Sequence, residues 1–182
     1  MNTKKDVVDA IDSFIASDEK GMLITGTYQY KKHYLVMRYI EQYHKNARVL
    51  FRINSMQNIL MEEFTPLRRQ PKAGETVWIG RNCYEFDAIF SPQTWHRTSV
   101  EFDFCIVYPI DYICRTCNLD PVIDLIDFKR IKKTFYISWT DSKKNDYSML
   151  SPYYSSHAVY DAEEEEPEYH QRVIHTIEEI DR

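Results

Sequence analysis

The chain has 182 residues, of which 43% are hydrophobic and 14% aromatic, and carries a net charge of −5. That composition excludes a disordered chain and predicts one domain, or one domain with an appendage, around a substantial core. No apolar run approaches the roughly 20 residues that a bilayer span needs, and no signal-type apolar stretch follows Met-Asn-Thr-Lys-Lys-Asp, so the expectation is a soluble, cytoplasmic protein.

Thr3 and Asp6 form a capping box ahead of Val7, Val8, Ile11, Phe14 and Ile15, which predicts a helix ending near Ser17. Met22–Thr25 is fully apolar, as in a buried parallel strand. A helix over Lys32–Lys45 follows, with Leu35, Val36, Tyr39, Ile40 and Tyr43 inward, then a strand over Arg48–Ile53. Met56, Ile59, Leu60 and Phe64 at helical spacing predict a helix over Asn54–Phe64. Thr76–Ile79 and Cys83–Phe90, flanking Gly80-Arg81-Asn82, predict a β-hairpin with a three-residue turn, either inserted at about 76–90 or forming an antiparallel edge of the sheet. Val100–Ile110 is a strongly apolar strand. Asn118 or Asp120 caps a helix through Lys129, with Pro121 at its first position. Lys133–Thr140 is another strand, Ser142–Ala162 is irregular and rich in Tyr and Ser, and Glu168–Ile180 is an amphipathic helix. The alternation predicts an α/β fold: a mostly parallel sheet with helices on both faces, a three-layer sandwich. The expected division is 1–141 for the sheet domain and 142–182 for a Tyr-rich segment and acidic helix packed back on it through Val173, Ile177 and Ile180.

The segment that carries chemistry is Gly26-Thr-Tyr-Gln-Tyr-Lys-Lys32-His33, between an apolar strand and a helix. It has the layout of the phosphate-binding loop G-x-x-x-x-G-K-[ST], in which backbone N–H groups and a helix N-terminus face an anion and the lysine adds positive charge. Gly26 and Lys32 stand at the first glycine and the lysine; Lys31 replaces the second glycine, and His33 replaces the hydroxyl residue that would hold Mg²⁺. A second apolar strand, Glu101-Phe-Asp-Phe-Cys-Ile-Val-Tyr-Pro-Ile-Asp111, is of the kind that supplies an acid to the metal.

On these residues the chain, over roughly 5–141, resembles a degenerate P-loop NTPase domain of the AAA+ and related ATPases. Aligned on Asp103, Tyr108 and Pro109 occupy the Asp-Glu places, and Lys133–Thr140 resembles the sensor strand, whose terminal polar residue is Ser138, Thr140 or Asp141. The resemblance implies a nucleotide- or phosphate-binding region at Gly26, Thr27, Lys31, Lys32, His33, Tyr108 and Asp111, with both magnesium ligands lost. The expectation is therefore a non-catalytic module, with no catalytic residues and no metal, that binds a protein partner or retains an anion such as ATP, GTP or phosphate. The alternative is an active NTPase with an atypical site, in which Asp103 or Asp111 holds the metal.

A third reading is nucleic-acid binding. Residues 29–72 carry nine Lys/Arg against three Glu, and 151–182 two Arg against nine acids, so the basic stretch 31–72 suits an anionic partner or the acidic tail. Cys114 and Cys117 form a lone C-x-x-C with no second pair, and His170 and His175 lack the Glu of a zinc motif, so inert thiols and surface histidines are expected. Asp127-Phe-Lys129 has the letters of a nuclease acid–lysine pair but falls in a helical pattern. Trp95, His96 and Arg97 lie in a polar loop, where the expectation is Trp95 folded onto the core.

Overall fold

The computed structural model describes residues 2–182. Its centre is a sheet of seven strands: β1 (Gly21–Thr25), β2 (Arg48–Ile53), β3 (Val77–Ile79), β4 (Asn82–Ala88), β5 (Glu101–Tyr108), β6 (Arg130–Ile137) and β7 (Ser156–Val159). Their spatial order is β3-β4-β2-β5-β6-β1-β7. Every neighbouring pair is parallel except β3 with β4. The helices are α1 (Lys4–Ala16), α2 (Lys31–Tyr43), the single turn α3 (Pro92–Trp95), α4 (Asp111–Thr116), α5 (Asp120–Phe128) and α6 (Pro167–Asp181).

Side chains alternate across a strand, so a sheet buried on both sides sorts its residues into two cores. One contains Met22, Ile24, Phe51, Ile106, Phe135 and Ile137 of the strands, closed by Val7, Ile11 and Phe14 of α1 and by Leu35, Val36 and Ile40 of α2. The other contains Leu23, Leu50, Cys105, Val107 and Tyr136, closed by Ile113 and Cys114 of α4 and Val122 and Leu125 of α5. The α/β expectation, with a mostly parallel sheet and flanking helices, holds in this form. The capping box of α1 is present, with Thr3 and Asp6 bonding reciprocally and Ser17 closing the other end. Trp95 is folded inward, and its indole N–H donates to the Ala88 carbonyl at 2.7 Å. The four cysteines are free thiols.

Four expectations are corrected. The helix over 54–64 is only a single 3₁₀ turn, Met56–Leu60. Side chains compete there for the backbone: Ser55 caps Gln57, and the Thr65 hydroxyl donates to the Ile59 carbonyl at 2.7 Å. The hairpin has a two-residue link, because Asn82 already belongs to β4. Of the two readings of the hairpin, the antiparallel edge holds for β3, while β4 belongs to the parallel sheet, paired with β2 from Arg48↔Cys83 to Ile53↔Ala88. Asp111 does not extend β5; it opens the unpredicted helix α4. The irregular segment 142–162 holds a 3₁₀ stretch, Tyr147–Tyr153, and the short edge strand β7, paired with β1 from Met22↔Ser156 to Thr25↔Val159.

Candidate functional site

The loop leaves the carboxyl end of β1 at Gly26, whose φ of +115° suits glycine. A Cβ there would stand 2.2 Å from the carbonyl oxygen of Tyr160, at the exit of β7. Gly26 therefore fits the close passage of two backbones.

Four consecutive loop N–H groups have acceptors within the protein. Gly26 donates to the Asp141 carboxylate, Thr27 to Asp161 Oδ1 at 3.0 Å, Tyr28 to the Tyr160 carbonyl at 3.3 Å, and Gln29 to the Tyr169 hydroxyl at 3.3 Å. Two of the four acceptors are carboxylates, so the anion facing this loop comes from the chain itself. The Thr27 hydroxyl lies 2.8 Å from His170 Nδ1 and accepts the Ala162 N–H at 2.9 Å.

Lys32 is fully buried and turned back on its own loop, donating to the Gly26 carbonyl and, at 3.5 Å, to that of Trp139. Burial holds its ammonium below the usual lysine range, opposed by the charges of Asp141, Asp111 and Asp161. Lys31 is exposed; it pairs with Glu166 and sits 4.4 Å from the ring centre of Tyr28. As a surface pair it contributes little on its own.

The two positions expected to have lost the magnesium ligands do meet in space. His33 and Tyr108 stack with ring centres 4.2 Å apart and planes at 23°, and Phe64 packs on both. Tyr108 is fully buried, and its hydroxyl donates to the Gln29 carbonyl at 2.7 Å. His33 Nε2 lies 3.1 Å from the Phe64 carbonyl, which requires the proton on Nε2 and leaves Nδ1 buried without a partner. An aromatic cluster thus fills the space between α2 and the end of β5.

Asp111 lies beneath the next loop. It accepts the backbone N–H groups of Trp139 at 2.6 Å and Thr140 at 2.7 Å, and the Asn145 amide at 3.1 Å. Burial pushes its carboxyl above the ordinary aspartate value. Its oxygens hold the turn after β6. Asp103 is elsewhere: it pairs with Lys132 at 2.7 Å and accepts the Arg48 N–H at 2.9 Å, five residues before Tyr108 and about 16 Å from it along an extended strand.

Of the nine basic residues in 31–72, seven are exposed. Lys32 and Arg52 are buried, Lys31 pairs with Glu166, and Arg69 with Glu75. His170 is half-buried against Thr27 rather than a free surface histidine. Asp127 lies on α5, and the Lys129 ammonium is held by Trp95, Thr98 and Ser99 oxygens at 2.8–3.1 Å. Among the described residues no group of three or more His, Cys, Asp or Glu is placed to hold a metal. Asp161, Tyr160 and Tyr169 went unrecognised as part of this site because they lie about 130–140 residues after the loop, the first two in a segment with no local pattern and the third on a helix whose docking face the sequence does not place.

Burial of His33 gives a measurable consequence. Its pKa is pushed down from 6.5 to about 3, chiefly by desolvation. The unfolded chain then binds a proton that the folded chain refuses between about pH 6.5 and 3, so this residue makes stability fall as pH drops through that window, by up to roughly 1.4 kcal/mol per pH unit. Urea unfolding of His33→Phe and the parent across pH 7 to 4 should show the flatter profile in the variant; parallel profiles would refute the assignment.

In comparisons with known proteins, no family model, no curated protein and no solved structure matches this chain.

Proposed function

We propose that the chain is a non-catalytic P-loop-like module, related in layout to the AAA+ ATPases and working by binding a protein partner rather than by hydrolysing nucleotides. The observation that carries this reading is the filling of the loop: its four successive N–H groups are bonded within the chain, and its lysine is turned onto backbone carbonyls. Two further features support it. The sensor-like β6 lies between β1 and β5 in the sheet, and the ring stack of His33 on Tyr108 stands where helix and strand should share a cation.

Hydrolysis needs a metal to neutralise charge on the transferred phosphoryl group and donors free to face it. Here the donors are engaged and the oxygen ligands are replaced by rings. A role in protein binding is supported by α5, whose solvent side carries Ile123 and Ile126 one turn apart and ends in Phe128, 65% exposed. The test is steady-state turnover of ATP and GTP with Mg²⁺. The reading expects no turnover above the buffer blank; turnover that disappears in Lys32→Ala would refute it.

A further inference from the structure

The cover over the loop has an unusual construction. Its first part, from Tyr160 to His170, meets the loop through Asp161 on Thr27 N–H, Glu165 and Glu166 on the Tyr28 hydroxyl, Glu166 on Lys31, and Tyr169 and His170 on Gln29 and Thr27. Its far end is tied to the loop after β6, where Asp181 accepts the Ser142 hydroxyl and the Lys143 N–H, and Lys144 donates to the Ile180 carbonyl. Between these ties runs α6, fifteen residues long, in which Val173 alone is buried and Ile180 is 41% exposed. The expectation that the helix packs back through Val173, Ile177 and Ile180 holds at Val173, in part at the half-buried Ile177, and is corrected at Ile180; beyond this narrow apolar face and Tyr169 against Tyr28, the helix is held by polar bonds at its two ends.

Such bonds contribute modestly because water replaces them on opening, whereas buried apolar area is what raises local stability. The sheet beneath is of the opposite kind, with β1 buried along its whole length. We infer that residues 161–182 form an autoinhibitory strap, which opens as a unit while the sheet stays folded and hands the Thr27 and Gln29 N–H groups, bonded to Asp161 and Tyr169 of the strap, to a small oxyanion. Opening frees Lys31 as well. It also widens a neighbouring cleft of about 300 Å³ lined by Lys4, Lys31, Arg38, Tyr160 and Glu165. A competing anion favours the open state only by the difference in its affinity for the two states. The inference rests on the P-loop-like reading for the identity of the loop, and deepens it by naming what controls access.

The experiment is residue-resolved amide hydrogen exchange on the full chain, with sodium pyrophosphate as the probe and sodium chloride at matched ionic strength as the control. The α6 amides and those of Thr27 and Gln29 should exchange together, at least ten-fold faster than Leu23, Ile24 and Phe135. Gly26, whose acceptor Asp141 lies outside the strap, should stay slow. Val173→Ala should speed the strap set alone. Pyrophosphate should speed exchange in α6 several-fold beyond the chloride control. Exchange of α6 at the rate of β1 would overturn the strap, and equal effects of pyrophosphate and chloride would overturn the anion's part in it. Turnover of ATP would instead refute the non-catalytic reading and leave the exchange pattern untouched, so the two failures are distinguishable.

Discussion

Arg52→Ala should cost about 3–5 kcal/mol of folding stability, the range for leaving a buried charge without its partner. Arg52 lies on β2 with no solvent exposure. Its guanidinium binds Asp87 in bidentate fashion at 2.8 and 2.7 Å, Asp124 at 2.8 Å and the Pro121 carbonyl at 2.6 Å. It also stacks against Trp95, 4.7 Å from the ring centre. The network joins β2, β4 and the start of α5, so its loss leaves Asp87 and Asp124 facing each other in a desolvated core. A triple replacement by Met, Ala and Val at 52, 87 and 124 should recover most of that loss, since apolar side chains of similar total volume remove the charges together. Urea unfolding checks both. A single variant within about 1 kcal/mol of the parent would show that the buried pairs matter less than their geometry implies.

Gly26→Ala should be nearly as damaging, by about 3 kcal/mol, because positive φ and a backbone clash act together. For a chain of this size that corresponds to a fall of roughly 6–12 °C in Tm. The alanine Cβ meets the Tyr160 carbonyl oxygen at 2.2 Å and its carbonyl carbon at 2.5 Å. Relief requires β7 to move off β1, and the strap moves with it. An exposed glycine with free space around it would show no such loss. A Tm shift under about 2 °C, less than a single kcal/mol at this size, would mean that the backbones do not pass this closely.

The fold was legible where local pattern and burial agree. β1 and β5 are apolar because both faces are covered, and α1 announces itself through the Thr3–Asp6 box and its single stripe. It failed where a tertiary contact overrides local preference. Met56–Phe64 has helical spacing, yet only Ile59 and Phe64 are buried, and side-chain oxygens claim the backbone after one turn. Ser156–Val159 has no strand signature; it is a strand because β1 offers it an edge.

The strand-to-helix loop was visible at Gly26 and Lys32, and His33 and Tyr108 were singled out in the sequence before any geometry. That the two rings stack could not be read, since they are 75 residues apart in sequence. The acceptors were hidden for the same reason. Asp141 looked like the polar end of a sensor strand and Asp161 like part of an acidic tail. Only folding brings both to consecutive N–H groups of one loop.

The central claim is that this loop carries its anion within the chain, and the amide protons of Gly26 and Thr27 report on it directly. An amide bonded to a carboxylate resonates downfield of one bonded to a neutral acceptor, because the charged bond is shorter and stronger. At neutral pH, Asp141→Asn should move the Gly26 amide upfield and leave Thr27 in place, and Asp161→Asn should do the reverse. If neither substitution moves its own amide, the carboxylates do not occupy the loop, and the account of a loop filled by the chain's own anions is wrong.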